Sequence, residues 1–227
     1  MKHSVNFDIE FKKNNFPGKF IVLEGVDGSG KTTQAKTLVE QLEKEGQKVW
    51  LTKNPTNHTI GKFVREEILS GKETIPPQAI QYLFAADRVV QQEEIIEKLK
   101  QGYVIISDRY FWSSVAYGMS DLNEISDRIL TSYSILSFYH QFIVPDLTLF
   151  LEIDSDVSIS RIEDKKEKEI YENREKIEKI INMYKYITDK FTDELTIIDG
   201  SKSLDQVSEE ILLKVKTILT PIKSGLK

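Results

Sequence analysis

Short apolar runs recur along the chain at intervals filled by amphipathic segments. Residues 19–24 read Lys-Phe-Ile-Val-Leu-Glu and stop at glycine, the profile of a strand buried on both faces. Residues 47–52, 103–107, 146–152 and 195–198 give four more strands of this kind. Helical segments fall between them: 31–45 stopping at Gly46, 60–69 ending near Gly71, and 78–100 opened by Pro77 and closed by Gly102. Residues 123–140, 155–162, 171–191 and 203–219 complete the helical set, with a dense charge run at 163–169. Alternation of β and α throughout predicts an α/β fold: a three-layer α/β/α sandwich on a five-stranded, mostly parallel sheet. Neither an internal repeat nor a low-complexity linker divides it. Residues 1–18 read as a short N-terminal extension, and 19–227 as a single domain. Ligands of such sheets bind outside the carboxyl ends of the strands, so the residues just after each strand are the candidates for chemistry.

Composition narrows the classes. The 227 residues are 40% hydrophobic and 30% charged, ordinary for a globular domain, with a formal net charge of −5. That balance argues against a broad nucleic-acid or anionic-membrane surface, while a small phosphate pocket needs only a few local cations. The absence of cysteine removes disulfides, thiolate zinc sites and thiol nucleophiles, and fits a reducing cytoplasm. His3, His58 and His140 are scattered, so a histidine metal site is not expected. No apolar run is long enough to span a bilayer, and residues 1–18 carry no signal-peptide core.

The strongest chemistry lies directly after the first strand. Gly25-Val26-Asp27-Gly28-Ser29-Gly30-Lys31-Thr32 matches G-x-x-x-x-G-K-[ST] without a mismatch, with an apolar strand before it and a helical segment after it. Glycines let such a loop turn its N–H groups inward onto phosphates, and the following helix adds its N-terminal amides. Lys31 would reach the β- and γ-phosphates and Thr32 would offer its hydroxyl to Mg²⁺. After the third strand stands Asp108-Arg109-Tyr110. A carboxylate there suits Mg²⁺, partly through water, and the adjacent guanidinium suits a second phosphate. Taken alone, that tripeptide fits a structural strand end equally well.

At this point the sequence resembles the thymidylate kinase (dTMP kinase) family of P-loop nucleoside monophosphate kinases. Glu24 to Thr33 looks like that family's P-loop, including the acidic Asp27; Phe84-Ala85-Ala86-Asp87-Arg88 looks like its nucleobase segment; Asp108-Arg109-Tyr110 and Pro145-Asp146-Leu147-Thr148-Leu149 follow in the family's order. The resemblance implies transfer of the ATP γ-phosphoryl group to dTMP with Mg²⁺, a mobile lid at about 161–172, and a homodimer. It places Phe84 on the thymine face, Arg88 at the base edge, Arg109 on the acceptor phosphate, and Asp27 near the acceptor and the metal. Ser113, Ser114, Tyr117 and Tyr171 would line the nucleoside pocket. Thr33, Arg161 and Ser201 would join the P-loop on the ATP side. Plain structural roles compete: Phe84 as core, Arg88 as a surface helix residue, Ser113 and Ser114 as a helix start.

Two departures stand out. The family usually carries Arg-Glu-Pro after the second strand, where this chain has Lys53-Asn54-Pro55. Lysine keeps the charge and loses the planar fork, so Lys53 is expected on the acceptor phosphate with less geometric control, unless it is merely a solvated surface lysine. The P-loop also lacks an arginine. Its transfer cation must come from elsewhere, with Arg161 as the first candidate and Lys165, Lys166 or Lys168 of the charge run assisting. Two other functions remain open here: a kinase for another nucleotide or nucleoside, and a catalytically weakened nucleotide-binding relative. A guanine-type Asn-Lys-x-Asp signature is absent.

Overall fold

The computed structural model describes residues 8, 10–122, 125–163 and 169–219. Among these, five strands form one sheet: β1 (Lys19–Glu24), β2 (Val49–Lys53), β3 (Val104–Asp108), β4 (Leu147–Glu152) and β5 (Thr196–Asp199). Their order is β2-β3-β1-β4-β5 and every strand pairing is parallel. The expected sheet is therefore present, parallel throughout.

Strand alternation builds the three layers. In β1, Ile21 and Leu23 face one way and pack with Ala35, Leu38 and Leu42 of α1 (Lys31–Lys44) and Val207, Ile211 and Val215 of α8 (Leu204–Leu219). Phe20 and Val22 face the other way. They join a larger core supplied by α3 (Pro77–Lys100), α4 (Phe111–Ser120), α5 (Ile125–Tyr139) and α7 (Arg174–Lys190). Burial on both faces is why β1 reads as an unbroken apolar run.

One element carries no periodic signal. All ten residues of α4 are buried, so no polar face exists to mark a helical period, and the apolar pattern leaves the segment unassigned. The expected 60–69 helix divides into a short α2 (Thr59–Phe63) and a π-helical segment, Val64–Leu69. α6 (Ser155–Ile162) starts under an Asp154 cap that accepts from the Val157 N–H at 2.8 Å.

Residues 11–18 pack against the sheet end and α3 and α4. Lys12 pairs with Ile143, and its carbonyl accepts from the Val144 N–H at 2.8 Å. Asn14 donates to Asp146 Oδ2 at 2.6 Å, and Phe11 stacks on Phe111. The Gly18 N–H donates to the Leu99 carbonyl at 2.9 Å, and a Cβ at Gly18 would stand 2.5 Å from the Tyr103 carbonyl oxygen. Only glycine lets the chain pass so close to the end of α3.

Candidate active site

The site begins where β1 ends. β1 lies between β3 and β4, so its carboxyl end sits where the sheet changes winding direction and a crevice opens. The P-loop fills that end. Gly28 has φ +78, and a Cβ there would meet the Ser158 carbonyl oxygen at 2.7 Å, which excludes other residues on two counts. Lys31 opens α1, is 5% exposed, and donates to the Val26 carbonyl at 2.7 Å. Burial, aided by the Arg109 charge, depresses its pKa to about 8. Its ammonium thus sits inside the cradle, folded back on the loop.

The register Leu23↔Asp108 brings the β3 tip beside the loop. The Thr32 hydroxyl hydrogen-bonds Asp108, joining the two oxygens proposed for the metal. Asp and hydroxyl oxygens of this kind suit Mg²⁺, which takes few protein ligands and completes its shell with water and phosphate.

Arg109 has φ 73, a left-handed backbone that costs a non-glycine residue about 1–3 kcal/mol and tends to mark functional sites. That turn aims its guanidinium back over the P-loop. Nη1 donates to the Gly25 carbonyl at 2.9 Å and to Ser113 Oγ at 3.2 Å, and Nη2 meets Asp27 Oδ1 at 2.6 Å. Tyr117 donates to the other Asp27 oxygen at 3.0 Å. Burial pushes the Tyr117 phenol well above its usual range, so it stays a neutral donor.

Beneath this pair lies Glu24, fully buried at the end of β1. It accepts from the N–H groups of Tyr110 (2.9 Å) and Ser113 (3.2 Å) and from the hydroxyls of Ser113 and Tyr184. Those amides belong to the start of α4, whose N-cap residue Tyr110 makes no side-chain cap of its own. A strand carboxylate thus caps a helix from outside it, satisfying orphan N–H groups. Burial raises the Glu24 pKa, and the donors around it oppose that shift.

A cavity of about 160 Å³ opens beside the P-loop. It gathers Asp27, Lys53, Phe84, Arg88, Arg109, Ser113, Ser114, Tyr117 and Tyr171, every residue expected on the acceptor side. Asn54, Arg65, Leu69 and Glu169 complete much of the wall. Arg88 is 2% exposed, which excludes a surface arginine. Its Nε faces Asn54 Oδ1 at 3.3 Å, Nη1 donates to Ser114 Oγ (2.7 Å) and the Tyr139 hydroxyl (3.0 Å), and Nη2 donates to the Tyr110 carbonyl (2.7 Å). Phe84, 9% exposed, belongs to the core and to the cavity wall at once. Lys53 is exposed, at the cavity rim. Asn54 is buried between Arg88 and Gln91, donating to Gln91 Oε1 at 2.9 Å.

Arg65 escapes sequence reasoning. It donates to the carbonyls of Pro55 (2.7 Å) and Thr56 (3.0 Å) from the π-helical segment. The only available signal was a lone arginine in an amphipathic helix. Glu24 escapes as well, because an acidic strand end before a P-loop reads as part of the motif.

Across the P-loop a second pocket, about 290 Å³, is lined by Ser29, Gly30, Thr33, Gln34, Arg161, Gly200 and Lys202. Arg161 Nη1 donates to the carbonyls of Gly200 (3.1 Å) and Gly28 (3.3 Å). Arg161 thereby ties the P-loop to the loop after β5. Ser201 turns its hydroxyl to Asp199, between two residues that line the pocket. Lys165, Lys166 and Lys168 lie outside the described residues. Past them, the Ile170 N–H donates to the Leu69 carbonyl at 3.0 Å, and Tyr171 meets Tyr117 edge-on with centroids 5.0 Å apart.

Comparison with known proteins converges on one family. The family model described as thymidylate kinase matches residues 23–211. A probable thymidylate kinase of Thermococcus kodakarensis is 34% identical over 209 residues, covering 88% of this chain and 98% of the relative. A probable thymidylate kinase of Methanococcus maripaludis strain C6 is 42% identical over 201 residues, covering 86% and 93%. Among solved structures, the thymidylate kinase of Candida albicans superposes with a TM-score of 0.75 at 31% identity, covering 88% of this chain and 92% of that one. The chain belongs to the thymidylate kinase family.

Proposed function

We propose that this thymidylate kinase family member transfers the γ-phosphoryl group of ATP to dTMP, giving ADP and dTDP. The observation that carries this reading is the meeting, beside a complete P-loop, of Phe84, Arg88, Arg109, Tyr117 and Asp27 around one cavity. Those residues come from three separate stretches of sequence: the P-loop, α3, and the β3 tip with α4.

A phosphate oxygen of dTMP attacks the γ-phosphorus, and the bond from that phosphorus to the bridging oxygen of ADP breaks. The attacking phosphate is already ionised, so no general base is needed, and charge neutralisation is the main demand. Lys31 and the loop amides hold the donor phosphates. Arg109 and Lys53 face the acceptor phosphate, with Arg65 on the same wall. Asp27 orients Arg109 and, with Tyr117, closes the sugar side. Phe84 offers its ring to the thymine. Arg88 spends four of its five N–H groups on protein acceptors, leaving one Nη2 hydrogen for a base carbonyl. Arg161 and the Gly200 loop flank the ATP side. Arg161 is also the transfer cation nearest the loop among the described lid residues, with the lid lysines assisting. Mg²⁺, held by Thr32 and Asp108, would neutralise phosphate charge when bound.

The same reading includes a homodimer. Phe63, Tyr82, Val89 and Val90 are exposed large apolar residues on α2 and α3, a surface suited to a second copy. No helix among the described residues is long and apolar enough to cross a membrane, and the cysteine-free chain suits the reducing cytoplasm.

A coupled ADP-release assay across dTMP, dUMP, dCMP, dGMP and nucleosides tests the acceptor. A preference for dTMP is expected; strong preference for another acceptor overturns the assignment. The Lys53-Asn54 pair favours a second reading, a looser acceptor choice, because lysine fixes a phosphate less rigidly than arginine. Comparable rates with dTMP and another deoxynucleotide would select it.

A further inference from the structure

Residues 11–18 precede the span that the family model matches, and no part of the mechanism uses them. Yet they reach the acceptor site through a chain of rings. Phe11 lies parallel to Phe111, with centroids 5.9 Å apart and planes 8° from parallel. Phe111 touches two of the groups that hold Arg88. It stacks on Tyr139 at 5.7 Å, and Tyr139 supplies its hydroxyl and ring face to the Arg88 guanidinium. It also packs on Tyr110 at 5.2 Å, whose carbonyl accepts from Arg88 Nη2.

The segment is anchored directly after Phe11. Lys12 pairs with Ile143, Asn14 bonds Asp146, and the Gly18 N–H bonds the end of α3. Its path is therefore fixed over the outer face of Phe111. We infer that Phe11 is a positioning residue for the acceptor half of the site: the N-terminal strap fixes Phe111, and through Tyr139 and Tyr110 the orientation of Arg88. Phe11 lines neither the cavity beside the P-loop nor the pocket across it. Its effect passes through ring packing, where small displacements are transmitted because close-packed side chains have few alternative arrangements.

This inference rests on the proposed acceptor role of the cavity, and the test separates the two. The full chain is compared with Phe11→Ala and Phe11→Tyr, using the nucleotide that the parent protein phosphorylates best. If the parent phosphorylates an acceptor other than dTMP, the proposed function changes while the strap comparison still runs with that acceptor. Phe11→Ala is expected to raise the acceptor KM about three- to tenfold with the ATP KM unchanged, as loss of a positioning contact would. Phe11→Tyr restores the parent value. Should Phe11→Ala fold poorly, Phe11→Leu keeps apolar bulk without the stacked ring and takes its place. A lowered melting temperature with an unchanged acceptor KM would overturn the inference and leave the strap a stabilising clamp. An equal rise in both KM values would overturn it too.

Discussion

Arg109 Nη2 lies 2.6 Å from Asp27 Oδ1, so the cation proposed for the acceptor phosphate is held by a carboxylate from within the P-loop. Burial works against the Arg109 charge, while the Asp27 and Asp108 carboxylates beside it favour the charge, and the guanidinium stays protonated. Donor loop and acceptor cation are thereby one rigid unit before substrates arrive. Arg109→Ala should lower kcat/KM for the acceptor by about 10²–10³-fold, the scale of losing a preorganised charge at the transferring group. Arg109→Lys should recover only part of it, because the Gly25, Ser113 and Asp27 contacts need the planar fork. Steady-state kinetics in both substrates checks this.

Burying the Lys31 ammonium is costly. Its folded pKa of about 8 lies below the ordinary lysine value of 10.5. A depressed pKa means the unfolded chain holds the proton more tightly. The destabilisation is complete below about pH 8 and fades as pH rises toward 10.5. Relative to the parent, Lys31→Met should therefore be more stable at pH 7 than above pH 10.5, a difference of about 3 kcal/mol. The same variant should lose transfer almost entirely. Denaturant melts at the two pH values, alongside activity, test both halves.

Glu24 tests the cap. Leucine at this position would leave the Tyr110 and Ser113 amides without this acceptor, at about 1–3 kcal/mol for each unsatisfied group, while the Ser113 and Tyr184 hydroxyls keep each other at 3.0 Å. Glu24→Leu should thus unfold readily, while Glu24→Gln keeps an acceptor oxygen and folds. Because the Glu24 pKa is raised, its contribution is favourable at low pH and is lost as pH rises through the folded value. Glu24→Gln should flatten that part of the stability–pH curve. Thermal melts from pH 4 upward read the slope.

Arg161 separates donor from acceptor. It lines the pocket on the Thr33–Gly200 side and is absent from the acceptor cavity. Arg161→Ala should raise the ATP KM about tenfold and leave the acceptor KM within about twofold, as expected for a charged contact made on one substrate. Its proposed part as transfer cation should add a fall in kcat; a raised ATP KM with kcat unchanged would leave Arg161 a binding contact only.

Much of the protein was legible in its sequence, and for identifiable reasons. β1 and the P-loop depend on local chemistry: an apolar run buried on both faces, then glycines where the backbone must turn. Phe84, Arg88 and Asp108-Arg109 were legible through family resemblance. The missed features are those whose meaning depends on distant partners. α4 is buried on every side and so has no period. Arg65 looks ordinary until the fold sets it against Pro55 and Thr56, and Asn54 is visible in the sequence only as a departure until the fold places it between Arg88 and Gln91. Glu24 looks like the end of a strand until helix α4 arrives with its uncapped amides.

The sequence by itself determined the sheet, the phosphate cradle and the family, because strand burial and phosphate binding are written in adjacent residues. Tertiary structure alone decided how Arg109 turns back onto Asp27, which arginines share the cavity wall, and that Phe11 stacks on Phe111. Those outcomes depend on contacts between residues up to about a hundred positions apart, and close packing rather than local propensity selects them.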